Sequence, residues 1–144
     1  CNANVSLERW LSYMPDKRLA LVSIQFPDPW FKRRHRKRRV LQPSLLLSIA
    51  SALKSGRGLF IQSDILEVVQ QMSDLIAISQ CFNYLTSSNS KFLQKSCFPI
   101  ATEREQFSFE KGLPVYRAFY TRNNQTIPKL LDLQKKLDEK AAYS

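Results

Sequence analysis

A single carboxylate, Asp28, stands between Pro27 and Pro29, just ahead of a dense cationic run. Of the eight residues from Lys32 to Arg39, seven are Lys or Arg, and the eighth, His35, is the only histidine of the chain. Two more acidic spots stand out: Asp64 in Ser63-Asp64, and Thr102-Glu103-Arg104-Glu105. Lys and Arg hold phosphates, and each phosphate neutralised releases counterions, so binding falls steeply with salt. Such contacts position a nucleic acid without reading its sequence. A carboxylate does the complementary task. It accepts hydrogen bonds, and guanine offers N1–H and N2–H₂ as donors along one edge. Acids facing a basic platform therefore suit a nucleobase whose phosphates are held nearby. Trp30 and Phe31, beside the run, suit stacking on a base or packing in a core.

Plainer roles exist for each. The run, Lys32 and Arg34 to Arg39 included, also suits a solvated loop or a nuclear localisation signal. Asp28 suits a turn. Asp64 suits a helix N-cap, with Glu67 completing a capping box, and Thr102 with Glu105 has the same spacing. Grouping favours the chemical role: these acids fall near strand ends in a chain whose positive charge is concentrated in one place.

The elements that must position them follow from pattern. Arg18 to Phe26 is nearly continuous apolar and β-rich, and predicts a buried strand ending at the Pro-Asp-Pro turn. Residues 42–56 predict a helix with Pro43 in its first turn and Gly56 at its end. Leu59 to Ser63 predicts a second buried strand, and Ile65 to about Ser79 a helix striped by Val68, Val69, Met72, Leu75 and Ile76. Phe82 to Leu85 predicts a short strand, residues 86–112 an irregular polar segment, Leu113 to Arg122 a last strand, and the chain from Ile127 a helix. Strands alternating with helices predict an α/β fold with a largely parallel sheet. Ligands in such sheets sit beyond the carboxyl ends of the strands, and all three acidic spots fall there or in nearby loops.

Composition narrows the function classes. The net charge is +10, but outside the run 15 basic face 12 acidic residues, a net of +3. The excess is local, which points to a polyanion, nucleic acid ahead of an anionic membrane. The three cysteines are odd in number and lack CxxC spacing. That argues against a disulfide framework or structural zinc and for a reducing compartment. One histidine gives metal catalysis little support. Only 3 glycines are present, with no GxGxxG or Walker sequence. No apolar stretch approaches a membrane span, and no signal peptide is visible.

The stretch from Phe26 to Arg39, FPDPWFKRRHRKRR, resembles the signature of the tRNA (guanine-N7)-methyltransferases. Further matches follow in order: Asn2-Ala3 is similar to the family's adenine-side contact, Ser63-Asp64 to its Ser/Thr-Asp site, Thr102 to Glu105 to its Thr-x-x-Glu motif, and GLPVYRAFY to its closing strand. The resemblance covers residues 1–122, as the C-terminal part of a methyltransferase domain. Residues 123–144 form a polar helical tail outside it.

The resemblance implies a class I (Rossmann-like) methyltransferase fold, S-adenosylmethionine as donor with no metal, and a tRNA variable-loop guanine as acceptor. It carries Asp28 over as the active-site acid, and Asn2, Ala3 and Asp28 as donor contacts. Lys32, Asp64, Thr102, Glu103, Arg104 and Glu105 are carried over as substrate contacts, and Arg34, His35, Arg36, Lys37, Arg38 and Arg39 as the RNA-binding segment. Trp30 fits the bacterial or organellar type. This implies tRNA as partner, no membrane, a monomer or homodimer, and no WD-repeat subunit. The location implied is the cytoplasm of a bacterium, or a chloroplast or mitochondrion. The family's glycine-rich donor loop and acidic ribose contact precede the matched region, which begins near the fourth of seven strands. The expectation is therefore a partial sheet with one strand edge unpaired. Two alternatives follow: a non-catalytic RNA-binding module, and a basic interaction protein for DNA or membrane.

Overall fold

A computed structural model describes residues 3–14, 19–85 and 91–143. Helix α1 (Ala3–Tyr13) precedes β1 (Leu19–Gln25), and a 3-10 helix (Arg33–Arg38) leads to α2 (Pro43–Ala52). Then come β2 (Leu53–Ser63), α3 (Leu66–Ser79), β3 (Phe82–Tyr84), α4 (Glu103–Glu110), β4 (Tyr116–Arg122) and α5 (Leu130–Ala142). The four strands form one sheet in the order β1-β2-β4-β3.

Strand β2 is the spine. Leu59 to Ser63 are at most 1% exposed, as their apolar run predicts. Val22 and Ile24 of β1 pair with Leu59 and Ile61, and Tyr120 and Ala118 of β4 pair with the same two residues. Side chains alternate along a strand, so these residues share one face. That face joins Leu45, Leu46 and Ile49 of α2, Val69 and Ile76 of α3 and Leu133 of α5 in the main core. On the opposite face Phe60 packs edge-to-face on Phe98, 5.5 Å between ring centres, and against Phe119.

Four expectations need correction. The sheet is mixed, not largely parallel: β1 and β2 run parallel, but β4 is antiparallel to both β2 and β3. Strand β1 is not buried. Of its residues only Ile24 falls in the core, because β1 lies at the sheet edge and pairs with β2 alone. Its outer edge is unpaired among the described residues. Helix α2 stops at Ala52 rather than at Gly56. Leu53 leaves the helix to pair with Leu19 and is 2% exposed, so burial outweighs continuation. Gly56, with φ of 82°, instead serves the excursion of β2 that shifts the register between Leu19 and Leu21. Finally, the segment read as irregular contains α4, started by Thr102, whose side chain accepts from the Glu105 N–H.

The tail helix α5 packs on α2 and α3, and Lys140 pairs with Asp74 of α3 at 2.9 Å. No helix among the described residues is long and apolar enough to cross a membrane.

Candidate functional site

The chain leaves β1 through a kink at Phe26, whose φ of 47° lies in the left-handed region that bulky residues avoid. The Phe26 N–H donates to the Gln62 carbonyl at 2.8 Å and ties the kink to β2. Pro27 and Pro29 lack donors, so the segment cannot extend the sheet. Asp28 is thereby left exposed beyond the carboxyl end of β1, and among the described residues nothing donates to it. Backbone strain of this kind costs of order 1–3 kcal/mol and clusters at functional sites.

Asp64 follows the neighbouring strand end. It is not the cap of α3, because that position is held by Ile65 with no side-chain capping bond. Its carboxylate instead pairs with Arg104 at 2.6 Å, and its side chain is 7% exposed against 51% for Arg104. The Arg104 guanidinium also lies 5.2 Å from the centre of the Phe107 ring. The first turn of α4 thus meets the end of β2, with Glu103 exposed beside them.

Glu105 is placed differently. Thr102 accepts from its N–H at 3.2 Å, but its carboxylate turns inward to Arg117, 2.5 Å away. Arg117 Nε donates to Gln62 Oε1 at 3.2 Å, and its NH1 to the Gln94 carbonyl at 3.1 Å. Gln62 Nε2 donates to Gln25 Oε1 at 2.6 Å and reaches Glu105 Oε2 at 3.4 Å. Gln25, Gln62 and Arg117 are register partners across β1, β2 and β4. They form a polar row beneath the carboxyl-end loops, with Glu105 closing it from α4. Burial of both charges is tolerated because each is paired and hydrogen-bonded. Sequence reasoning missed Gln25, Gln62 and Arg117. Their signal was a polar residue inside otherwise apolar strand runs, VSIQ, LFIQS and VYRAFY.

The basic run is built, not merely solvated. The Arg39 Nε donates to the Trp30 carbonyl at 2.9 Å, and Gln42 Nε2 to the carbonyls of Arg36 and Arg39 at 2.6 and 2.8 Å. Burial, with Arg36 nearby, lowers the Arg39 guanidinium below its ordinary value. Arg36 pairs with Asp138 of α5 at 2.8 Å. Lys32, Arg34, Lys37 and Arg38 are exposed. Asp28 and four members of the run, Arg34, Arg36, Lys37 and Arg39, line an open groove of about 870 Å³, with Val68, Met72 and Leu75 of α3 and Leu137 of α5 also on its walls.

The fold therefore brings Asp28, Asp64 with Arg104, and the run to one end of the sheet. It keeps Glu105 inside. Asn2 lies outside the described residues, and Ala3 opens α1. An exposed carboxylate beside a cationic surface can hold a purine edge and stabilise positive charge developing on it.

Residues 1–118 match the family described as "Putative methyltransferase". A protein of Parasynechococcus marenigrum (strain WH8102) named tRNA (guanine-N(7)-)-methyltransferase is 56% identical over 128 residues, 89% of this chain and 54% of its own length. One of the same name from Prochlorococcus marinus (strain MIT 9313) is 53% identical over 134 residues, 93% of this chain and 57% of its own. In Prochlorococcus marinus (strain NATL1A) the figure is 44% over 124 residues, 86% of this chain and 58% of that protein. The chain spans about half the length of the curated relatives it matches.

Proposed function

The chain belongs to the methyltransferase family matched over residues 1–118, whose members have the class I fold, and from that premise we propose that it carries the substrate side of a tRNA (guanine-N7)-methyltransferase. One observation carries this most: Asp28 is exposed just beyond the carboxyl end of β1 and shares a groove with a basic run that is held in a defined shape, while the Asp64–Arg104 pair follows the end of the neighbouring strand. The relatives' names supply the reaction, and the site supplies groups suited to it.

The donor in this family is S-adenosylmethionine, which when bound supplies an electrophilic methyl group on a positively charged sulfur. Of the residues assigned to it, Asp28 fits, being an exposed carboxylate with no donor of its own among the described residues. Asn2 and Ala3 complete the proposed contacts.

Guanine N7 carries a lone pair and no proton, so alkylation there needs no base at that atom. The purine gains positive charge instead. The role of Asp28 is electrostatic and orienting: its carboxylate faces that growing charge without having to move a proton. Asp64 and Arg104, paired with one another, offer an acceptor and donors for the base and its flanking phosphate. Thr102, Glu103 and Glu105 act with them, Thr102 and Glu105 chiefly by fixing α4. Lys32 and residues 34–39 hold the RNA backbone. The partner is tRNA, bound by a monomer or homodimer, in the bacterial cytoplasm or in an organelle.

Because Asp28 acts on the transition state and not on the RNA backbone, Asp28→Ala in the protein carrying this chain lowers methyl transfer about 10²–10³-fold. Its tRNA affinity stays within about twofold of wild type, a small change by comparison. Labelled methyl transfer and filter binding on the same preparations separate the two. Normal turnover in Asp28→Ala would rule out the role given to Asp28.

A further inference from the structure

Seven like-charged side chains in a row look interchangeable, and the backbone makes them unequal. A 3-10 helix has three residues per turn, so side chains three apart eclipse one another. In Arg33–Arg38 this puts His35 and Arg38 on one face, Arg34 and Lys37 on a second, and Arg36 on a third. The third face meets α5, through Arg36 and Asp138. The second is exposed and without a partner among the described residues. The first meets Trp30.

Trp30 touches that face twice. Its ring packs edge-to-face on His35, 5.3 Å between centres at 84°. The Arg38 guanidinium lies 4.9 Å from the ring centre, a cation–π distance. Its main chain adds a third hold, since the Trp30 carbonyl accepts from Arg39 Nε. One residue thus holds three members of the run, two of them guanidiniums that repel one another.

We propose that Trp30 is a positioning residue: its ring sets the rotation of the 3-10 helix, and so presents Arg34 and Lys37 outward to the phosphates. This rests on the tRNA-binding role proposed above. It also assigns the aromatic a task that neither base stacking nor core packing describes.

The test uses the chain as it stands, with Trp30→Leu, which keeps apolar bulk but no ring, and Trp30→Phe, which keeps a ring. Because His35 is the only histidine, its imidazole proton signals are assigned without ambiguity. They are displaced by the ring current in wild type and in Trp30→Phe, and return to free-histidine positions in Trp30→Leu. Affinity for a tRNA transcript falls about three- to tenfold in Trp30→Leu and is largely restored in Trp30→Phe. The thermal midpoint is compared in parallel, and Trp30→Met takes the place of Trp30→Leu if that variant does not fold. Wild-type affinity in a folded variant lacking the ring would overturn the proposal, as would undisplaced His35 signals in wild type. Wild type that binds no tRNA, with His35 still displaced, would refute the proposed function and the RNA role of Trp30 together, and would leave only the ring contact standing.

Discussion

The residue whose environment departs most from its sequence setting is Glu105. In the sequence it is one of three glutamates in the polar segment 86–112. In the structure it is 2% exposed, bound to Arg117 and within reach of Gln62. Removing one member of a buried pair strands the other charge, so Glu105→Ala costs about 3–5 kcal/mol of stability. Replacing both partners by apolar groups leaves no stranded charge. The double variant Glu105→Leu/Arg117→Met should therefore be more stable than Glu105→Ala, by urea denaturation. A double variant less stable than the single one would refute this account of the pair. The position of Asp28 was legible from its two prolines, since neither can continue a strand. The inward turn of Glu105 was not, because its partner lies twelve residues on and on another element.

At the scale of elements, the strongly periodic segments were legible. The second half of β2, from Leu59 to Ser63, and helix α3 fall where their apolar patterns place them, because both are buried by those patterns; β2 itself starts earlier, at Leu53, and runs through an exposed stretch that carries no such pattern. Boundaries set by tertiary contact were not legible. Helix α2 gives up Leu53 to β2, and α4 forms where a Thr cap and the Glu105–Arg117 anchor outweigh a polar sequence. The parallel sense predicted for the sheet failed at β4, whose direction depends on a connection that local pattern does not encode. The 3-10 geometry of the basic run makes its own prediction. Arg34→Ala with Lys37→Ala should lower the slope of log affinity against log salt by about two, one for each phosphate no longer neutralised. Arg36→Ala should change it less, because Asp138 already pairs with that side chain. Salt titration of tRNA binding reads both. Equal loss of slope at Arg36 and at Arg34 would show that the faces are not distinct.

At the scale of the molecule, distant segments are drawn together by buried polar ties as well as by apolar packing. Arg122 at the end of β4 donates to the carbonyls of Ala50, Cys81 and Gln125, joining α2, the start of β3 and the approach to α5. The polar row through Gln25, Gln62 and Arg117 does the same beneath the site. The edge strand β1, half-exposed over most of its length, carries the loop that bears Asp28. The central claim joins that carboxylate, the RNA-holding run and a purine nitrogen in one reaction. Its most direct test is methyl transfer, by the protein carrying this chain, to two tRNAs that differ at one atom. One has guanosine in the variable loop, and the other has 7-deazaguanosine there, which replaces N7 by carbon and leaves the N1–H and N2–H₂ edge intact. The account predicts equal binding of both and methylation of the first alone; equal methylation of the two would contradict it.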